Sequence, residues 1–152
     1  MVKKLRLRRA SSSDVAKVFQ LSNDPVVRSK SIHQKPIVWE SHVDWFQKAL
    51  VDSSLKFYIV ESEEGEFIGQ VRFKKEEDFW ITSISVCSAF RGQGLGSLML
   101  QVALEQMIGH VVIAYIRENN VPSQRIFTKA GFVFQNTKEI EGEIYKLYRY
   151  ER

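Results

Sequence analysis

The run Val86-Cys87-Ser88-Ala89-Phe90-Arg91-Gly92-Gln93-Gly94-Leu95-Gly96 limits the fold more than any other part of the chain. Before it, Phe79 to Val86 reads as a strand; after it, Leu95 to Ile108 repeats apolar residues at helical spacing. A strand therefore enters a glycine-rich turn and leaves it directly as a helix. Glycine tolerates positive φ and close backbone approach, and the free amides of a helix N-terminus carry a partial positive charge, so an anion such as a pyrophosphate belongs there. The segment lacks the Gly-Lys-Ser/Thr ending of nucleotide-triphosphate loops and the Gly-x-Gly-x-x-Gly of dinucleotide folds. The alternative is a turn whose glycines serve only the backbone.

The elements around this turn follow from periodicity. Residues 4 to 10 predict a first strand, Ser11 to Leu21 a short helix with several N-cap candidates, and Asn23-Asp24-Pro25 its end. Arg28 to Lys35 reads as irregular. Val38 to Leu50 predicts an amphipathic helix, with Trp39, Val43, Phe46, Ala49 and Leu50 three and four residues apart. Phe57 to Val60, Phe67 to Phe73 and Phe79 to Val86 predict an antiparallel meander. Val111 to Ile116 follows as a buried strand, Val121 to Ala130 as a helix between Asn120 and Gly131, and residues 143 to 150 as a last strand. Strand, helix, strand, helix implies a parallel crossover. The fold class expected is α/β, a mixed sheet of six to seven strands flanked by helices.

Length and composition bound the rest. With 152 residues, 44% of them hydrophobic, residues 1–152 are expected to form a single domain. Lys and Arg exceed Asp and Glu by 22 to 18. Part of that excess sits at Lys3, Lys4, Arg6, Arg8 and Arg9, alternating with Val2, Leu5 and Leu7 as on a half-buried strand. No aromatic interleaving accompanies these charges, so a nucleic-acid partner is not expected, although a mild positive balance suits an anionic ligand. Cys87, the single cysteine, excludes an internal disulfide and a paired-thiolate zinc site, and no metal is expected. No signal-like start and no apolar run near ~18 residues is present, so a cytoplasmic protein with no membrane contact is the expectation.

The glycine turn resembles the acyl-CoA signature of the GNAT superfamily of N-acyltransferases, Arg/Gln-x-x-Gly-x-Gly/Ala after a strand, matched by Arg91, Gly94 and Gly96. A second resemblance is the run from Asn120 through Phe127 to Gly131-Phe132, where that family places an asparagine, an aromatic residue and Gly-Phe. The resemblance implies a GNAT fold in which two central parallel strands splay apart around acetyl-CoA. Ile84, Val86, Cys87 and Ser88 would line one side. Amides of Arg91, Gly92, Gln93, Gly94, Leu95, Gly96 and Ser97 would hold the pyrophosphate, and Asn120, Ser123 and Phe127 the other side of the cofactor. An amide near Val86 or Cys87 would polarise the thioester carbonyl. Asn120 also reads as a plain helix cap.

The implied activity is acetyl transfer to a primary amine by direct attack in a ternary complex. Many relatives protonate the leaving thiolate with a tyrosine; the matching position here is Phe127, which has no proton to give. Tyr115 and Cys87 are the substitutes, each equally a plain strand residue. For the base, His33, Glu40, His42 and Glu118 are candidates, His42 because imidazole titrates near working pH, with a water chain as the alternative. The segment from Asn23 to Phe46 resembles the acceptor region of bacterial nucleotide-linked aminosugar N-acetyltransferases. That resemblance implies a UDP- or CMP-linked aminosugar bound by Arg28, His33, Trp39 and His42, in a monomer or homodimer. The chain also resembles ribosomal-protein acetyltransferases in its second half, so a peptide acceptor stays open. A non-catalytic acyl-CoA sensor is the reading from another class.

Overall fold

The alternating segments of the first half pair as hairpin spacing predicts. The structure is a computed structural model that describes residues 4–152, so Val2 and Lys3 of the alternating basic pattern lie outside the described residues. Strands β1 (Leu5–Arg9), β2 (Leu55–Ser62), β3 (Phe67–Lys75), β4 (Trp80–Val86), β5 (Val111–Arg117), β6 (Val133–Ile140) and β7 (Glu143–Glu151) build one sheet. Its order is β1-β2-β3-β4-β5-β7-β6. All neighbours are antiparallel except β4 and β5, the parallel pair that the crossover requires.

Among the described residues five α-helices cover the sheet: α1 (Val15–Ser22), α2 (Pro25–Lys30), α3 (Trp39–Val51), α4 (Leu95–Leu104) and α5 (Val121–Lys129). Met99, Leu100 and Ala103 of α4 and Phe127 of α5 share a core with Val71, Phe73, Val112 and Ala114 of the strands. On the opposite face, Val18 of α1 and Phe46 and Ala49 of α3 bury Phe57 and Ile59 of β2. Each fully buried aliphatic or aromatic side chain adds about 1.5–3 kcal/mol, so these two layers fix the sheet before any ligand is bound. Among the described residues no helix is long and apolar enough to cross a membrane.

Three details depart from the periodic reading. The stretch after Asn23 is not irregular throughout: Asp24 accepts hydrogen bonds from the Val26 and Val27 amides and starts α2, with Pro25 at its first position. The apolar helix after the glycine turn ends at Leu104, where the chain tightens into a 3-10 turn over Glu105–Met107 rather than continuing to Ile108. β6 has no sequence signal, because Gln135 to Glu139 are polar on both faces; it is an exposed edge strand whose one strand partner is β7.

The basic face of β1 is tied down internally. Arg8 donates two hydrogen bonds to Asp14, at 2.8 and 2.7 Å, and its Nε lies 3.2 Å from Glu61 of β2. Asp14 is buried and also accepts the Ser11 amide. Burial alone would push its carboxyl up; the Arg8 and Ser11 hydrogen bonds outweigh this and hold it below its ordinary value. The stability from this group is complete above the ordinary carboxylate pKa of about 4 and is lost as pH falls through the depressed folded value. We expect Asp14→Asn to lower stability by about 2 kcal/mol at pH 7 in urea unfolding, and the gap to wild type to narrow below about pH 4.

Candidate active site

The two parallel strands stay together for only two positions, Trp80↔Val112 and Ile81↔Ile113. Beyond them β4 remains paired with β3 as far as Val86, and β5 with β7 as far as Arg117. The sheet therefore opens as a wedge between Thr82–Val86 and Ala114–Arg117, the splay the sequence resemblance implies. Antiparallel ladders alternate the direction of their backbone groups, and two bonds fix the phase on each side. The Cys87 amide donates to the Ile68 carbonyl at 2.8 Å, so Cys87 faces β3, and Ile84 and Val86 turn their amides into the wedge. The Glu118 amide donates to Ile144 at 3.1 Å, so Tyr115 and Arg117 turn theirs in from the other side. Of the two amides expected to meet a thioester carbonyl, Cys87 is thus excluded by its bond to β3 and Val86 is free.

The turn below the wedge is built around Arg91. Its Nε donates to the Val86 carbonyl at 3.0 Å, and its Nη2 lies 3.0 Å from Asp24 Oδ1. The Arg91 side chain is therefore a strut inside the protein, and only its backbone is left for a ligand. Desolvation would raise the Asp24 carboxyl, but the hydrogen bonds from Arg91, Val26 and Val27 prevail and hold it below its ordinary value. Gly94, with φ +73°, is the residue before α4, and a side-chain carbon there would meet nothing within 4 Å. It leaves open space in front of the first amides of the helix. Gly96 serves differently: a β-carbon would lie 2.8 Å from Ile126 Cδ1, so its bareness lets α4 close on α5. Leu95 and Ser97 are buried beside it, whereas Ser88, Gly92 and Gln93 are exposed along the turn.

On the far side of the wedge Asn120 caps α5, its Oδ1 accepting the Ser123 amide at 3.3 Å. Phe127 is a core residue, edge-on to Phe132 with ring centres 5.0 Å apart, and offers the wedge only apolar surface. Tyr115 stands on the β5 edge with Lys138 Nζ 5.3 Å from its ring centre. Glu118 is exposed beyond the end of β5. The Cys87 thiol is pushed above its ordinary pKa, first by burial, so it stays protonated at neutral pH.

Of the residues expected to meet the acceptor, His42 and Arg28 are engaged within the protein, whereas Trp39 and His33 keep exposed surface. His42 is buried, its Nε2 2.8 Å from the Val15 carbonyl, in a cluster with Phe19, Trp39, Trp45 and Phe46. This geometry makes it a bridge between α1 and α3 rather than an accessible base. Trp39 packs edge-on to Phe19 at 5.0 Å within the same cluster. Arg28 donates to the carbonyls of Ser22 and His33 and to Ser31 Oγ, clamping the loop after α2. His33 points outward, its Nδ1 3.8 Å from Glu141.

The same face carries polar residues that periodicity passed over. Gln70 of β3 is 1% exposed with neither amide atom hydrogen-bonded. Two residues along, the half-buried Arg72 lies over Trp45 and Phe57, its Cζ 5.0 and 5.5 Å from their ring centres. Ser83 and Ser85 of β4 are their cross-strand partners, and Ser83 is open to solvent. Spacing alone could not single them out: Gln70, Arg72 and Lys74 alternate with Val71 and Phe73 as on any half-solvated antiparallel strand, and it is the cover of α1 and α3 that buries the first two.

Burial lowers the pKa of His42, with the Arg72 charge adding to it against the Val15 hydrogen bond. A histidine depressed in the folded state contributes full stability above its unfolded pKa of about 6.5, which is lost as pH falls through the folded value. We expect the His42 resonance in a proton NMR titration to have its midpoint below 6.5. His42→Ala should lower the unfolding temperature by several degrees through the cavity and the lost α1–α3 bridge.

The model for the "Acetyltransferase (GNAT) domain" matches residues 4–133. The chain is 29% identical over 160 residues to the "Putative phosphinothricin acetyltransferase YwnH" of Bacillus subtilis (strain 168), covering 94% of this chain and 95% of that protein. The crystal structure of a "putative phosphinothricin N-acetyltransferase" superposes with a TM-score of 0.75 at 26% identity, covering 96% of this chain and 97% of that one. Spermidine N-acetyltransferase from Vibrio cholerae, solved with CoA and spermine, shares the fold at a TM-score of 0.82 and 18% identity, over 95% and 92% of the two chains. The matched model, together with a wedge between two parallel strands above a glycine turn, places this chain in the GNAT acetyltransferase family, as an N-acetyltransferase that uses acetyl-CoA.

Proposed function

We propose that the chain transfers the acetyl group of acetyl-CoA to the primary amine of a small acceptor, with the thioester in the wedge and the amine entering from the face covered by α1 and α3. The observation that carries this reading is the Val86 amide. The ladder phase aims it into the wedge, and the Arg91 strut fixes the next peptide, Val86–Cys87, through its carbonyl. Acetyl-CoA supplies an activated acyl group and a diphosphate anchor. Gly94 and the first amides of α4 offer donors for that anchor, in open space that a side chain at Gly94 would enter. Val86 holds the thioester carbonyl oxygen with a donor already oriented, so little reorganisation accompanies reaction.

Proton traffic rests on water. With His42 engaged as a bridge, the acceptor ammonium loses its proton to solvent through the open floor at Ser83. Phe127 gives the leaving thiolate no acid, and a thiolate whose pKa is close to that of free cysteine departs without one. The acceptor class follows from two resemblances: the segment from Asn23 to Phe46 suggests a nucleotide-linked aminosugar, and the Bacillus relative is named for phosphinothricin. Each acceptor joins a primary amine to an acidic group.

Release of free CoA thiol that requires an amine distinguishes transfer from mere acyl-CoA sensing. We expect it with at least one of UDP-linked 4-aminosugar, phosphinothricin and spermidine; acetyl-CoA binding without turnover on any amine would overturn the enzymatic reading. Gly94→Asp should weaken acetyl-CoA binding at least about tenfold in calorimetry, since a carboxylate in front of the first amides of α4 would repel the diphosphate. Gly96→Asp should instead lower the unfolding temperature, because its side chain would strike Ile126.

A further inference from the structure

We infer that Arg72, with Gln70 beside it, is an acceptor-binding site for amines that carry an anionic group several bonds from the nitrogen. The inference rests on the proposed acetyl transfer and deepens it.

Arg72 forms no ion pair and no side-chain hydrogen bond among the described residues, and its Nε is buried without a partner. Its guanidinium rests on the ring faces of Trp45 and Phe57, an arrangement that holds a cation in place but leaves its donors free. A half-buried guanidinium without an acid is costly, and the cost is removed by a bound carboxylate or phosphoryl group. The charge of Arg28 acts on Arg72 from the cover, and burial together with that like charge lowers the Arg72 pKa to about 10. At neutral pH it is still a cation, in a place shaped for an anion.

Gln70 adds the second observation. It is two residues from Arg72 on the same face, and both its amide atoms are buried and unpartnered. Its donor and its acceptor suit a ligand with a polar middle. Gln70 pairs across to Ser85, the residue before Val86, whereas Arg72 pairs to Ser83 beside the solvent opening. Ser83 and Val86 are three residues apart on one strand, about 10 Å at 3.3 Å per residue. An acceptor reaching from Arg72 to the thioester therefore separates its anion from its amine by several bonds. A simple α-amino acid, with both groups on one carbon, is too short. The cationic floor also opposes polyamines.

The test is acetyl-CoA turnover on 4-aminobutylphosphonate, a UDP-linked 4-aminosugar, glycine and 1,4-diaminobutane. We expect kcat/KM at least tenfold higher for one of the two distal anions than for glycine or the diamine. Arg72→Gln should raise KM for that anion roughly ten- to a hundredfold with kcat within threefold and acetyl-CoA affinity unchanged. Arg72→Lys, which keeps the charge, should recover part of the loss and guards against a fold defect. A preference for the diamine or glycine, or an anion preference that survives Arg72→Gln, overturns the inference and leaves acetyl transfer intact. Acetyl-CoA binding with no amine acetylated overturns the transfer reading and this one with it.

Discussion

Two rungs of parallel pairing, Trp80↔Val112 and Ile81↔Ile113, decide what the rest of the molecule must do. Were β4 and β5 zipped throughout, the sheet would be continuous and the amides of Ile84, Val86, Tyr115 and Arg117 would serve only the ladder. Because they part, each strand must be held from its outer side, and complete antiparallel ladders to β3 and β7 do so. Unpaired backbone groups away from water cost about 1–3 kcal/mol each, so the wedge persists only where solvent or a ligand meets them. Beneath it the fully buried Met99 and Leu100 of α4 hold the sheet from one face. The opening is thus a product of rigid surroundings.

Arg91 connects that opening to the acceptor side. One guanidinium holds the Val86 carbonyl and pairs with Asp24, and Asp24 in turn starts α2. The loop after α2 is clamped by Arg28 and touched by Arg117, whose Nη2 donates to the Ser31 carbonyl at 3.0 Å. The cover over the acceptor face is therefore fastened to both edges of the wedge: to β4 through Asp24 and Arg91, to β5 through Ser31 and Arg117. A cover anchored in this way is held at a set position relative to Val86.

Much of this was legible in the sequence. The meander, the crossover, the glycine turn and the capped α5 are local patterns, and local patterns are what periodicity and capping residues report. The splay was not readable from residues 80 to 86 by themselves; it came from the resemblance carried by Arg91, Gly94 and Gly96, and the register agrees with it. β6 was missed because an edge strand paired on one side has no apolar face to announce it. The partners of the expected acceptor residues were hidden for a different reason. Arg28, Trp39 and His42 are polar or aromatic residues on covering elements, which usually suggests a ligand, yet here they join α1, α2 and α3 to one another. Side-chain partners across 27 residues, as between His42 and Val15, are invisible to spacing.

The charge balance acquires a location once the partners are known. A formal excess of +4 says little in a chain with 22 basic residues, because most such charges are solvated or paired. Arg8, Arg91, Arg117 and Arg149 each face a carboxylate, and Arg28 is satisfied by carbonyl oxygens. Among the described residues Arg9, Arg125 and Arg152 also have neither but are exposed; Arg72 is the half-buried guanidinium that has neither, and it lies on the sheet floor beside the opening at Ser83. The position of an unbalanced charge matters more than the size of the excess, since a half-buried cation is little screened by salt while exposed ones are. Steering by the surface as a whole would be weak and nonspecific. Selection by one desolvated guanidinium, a fixed distance from Val86, distinguishes acceptors by where their negative charge lies.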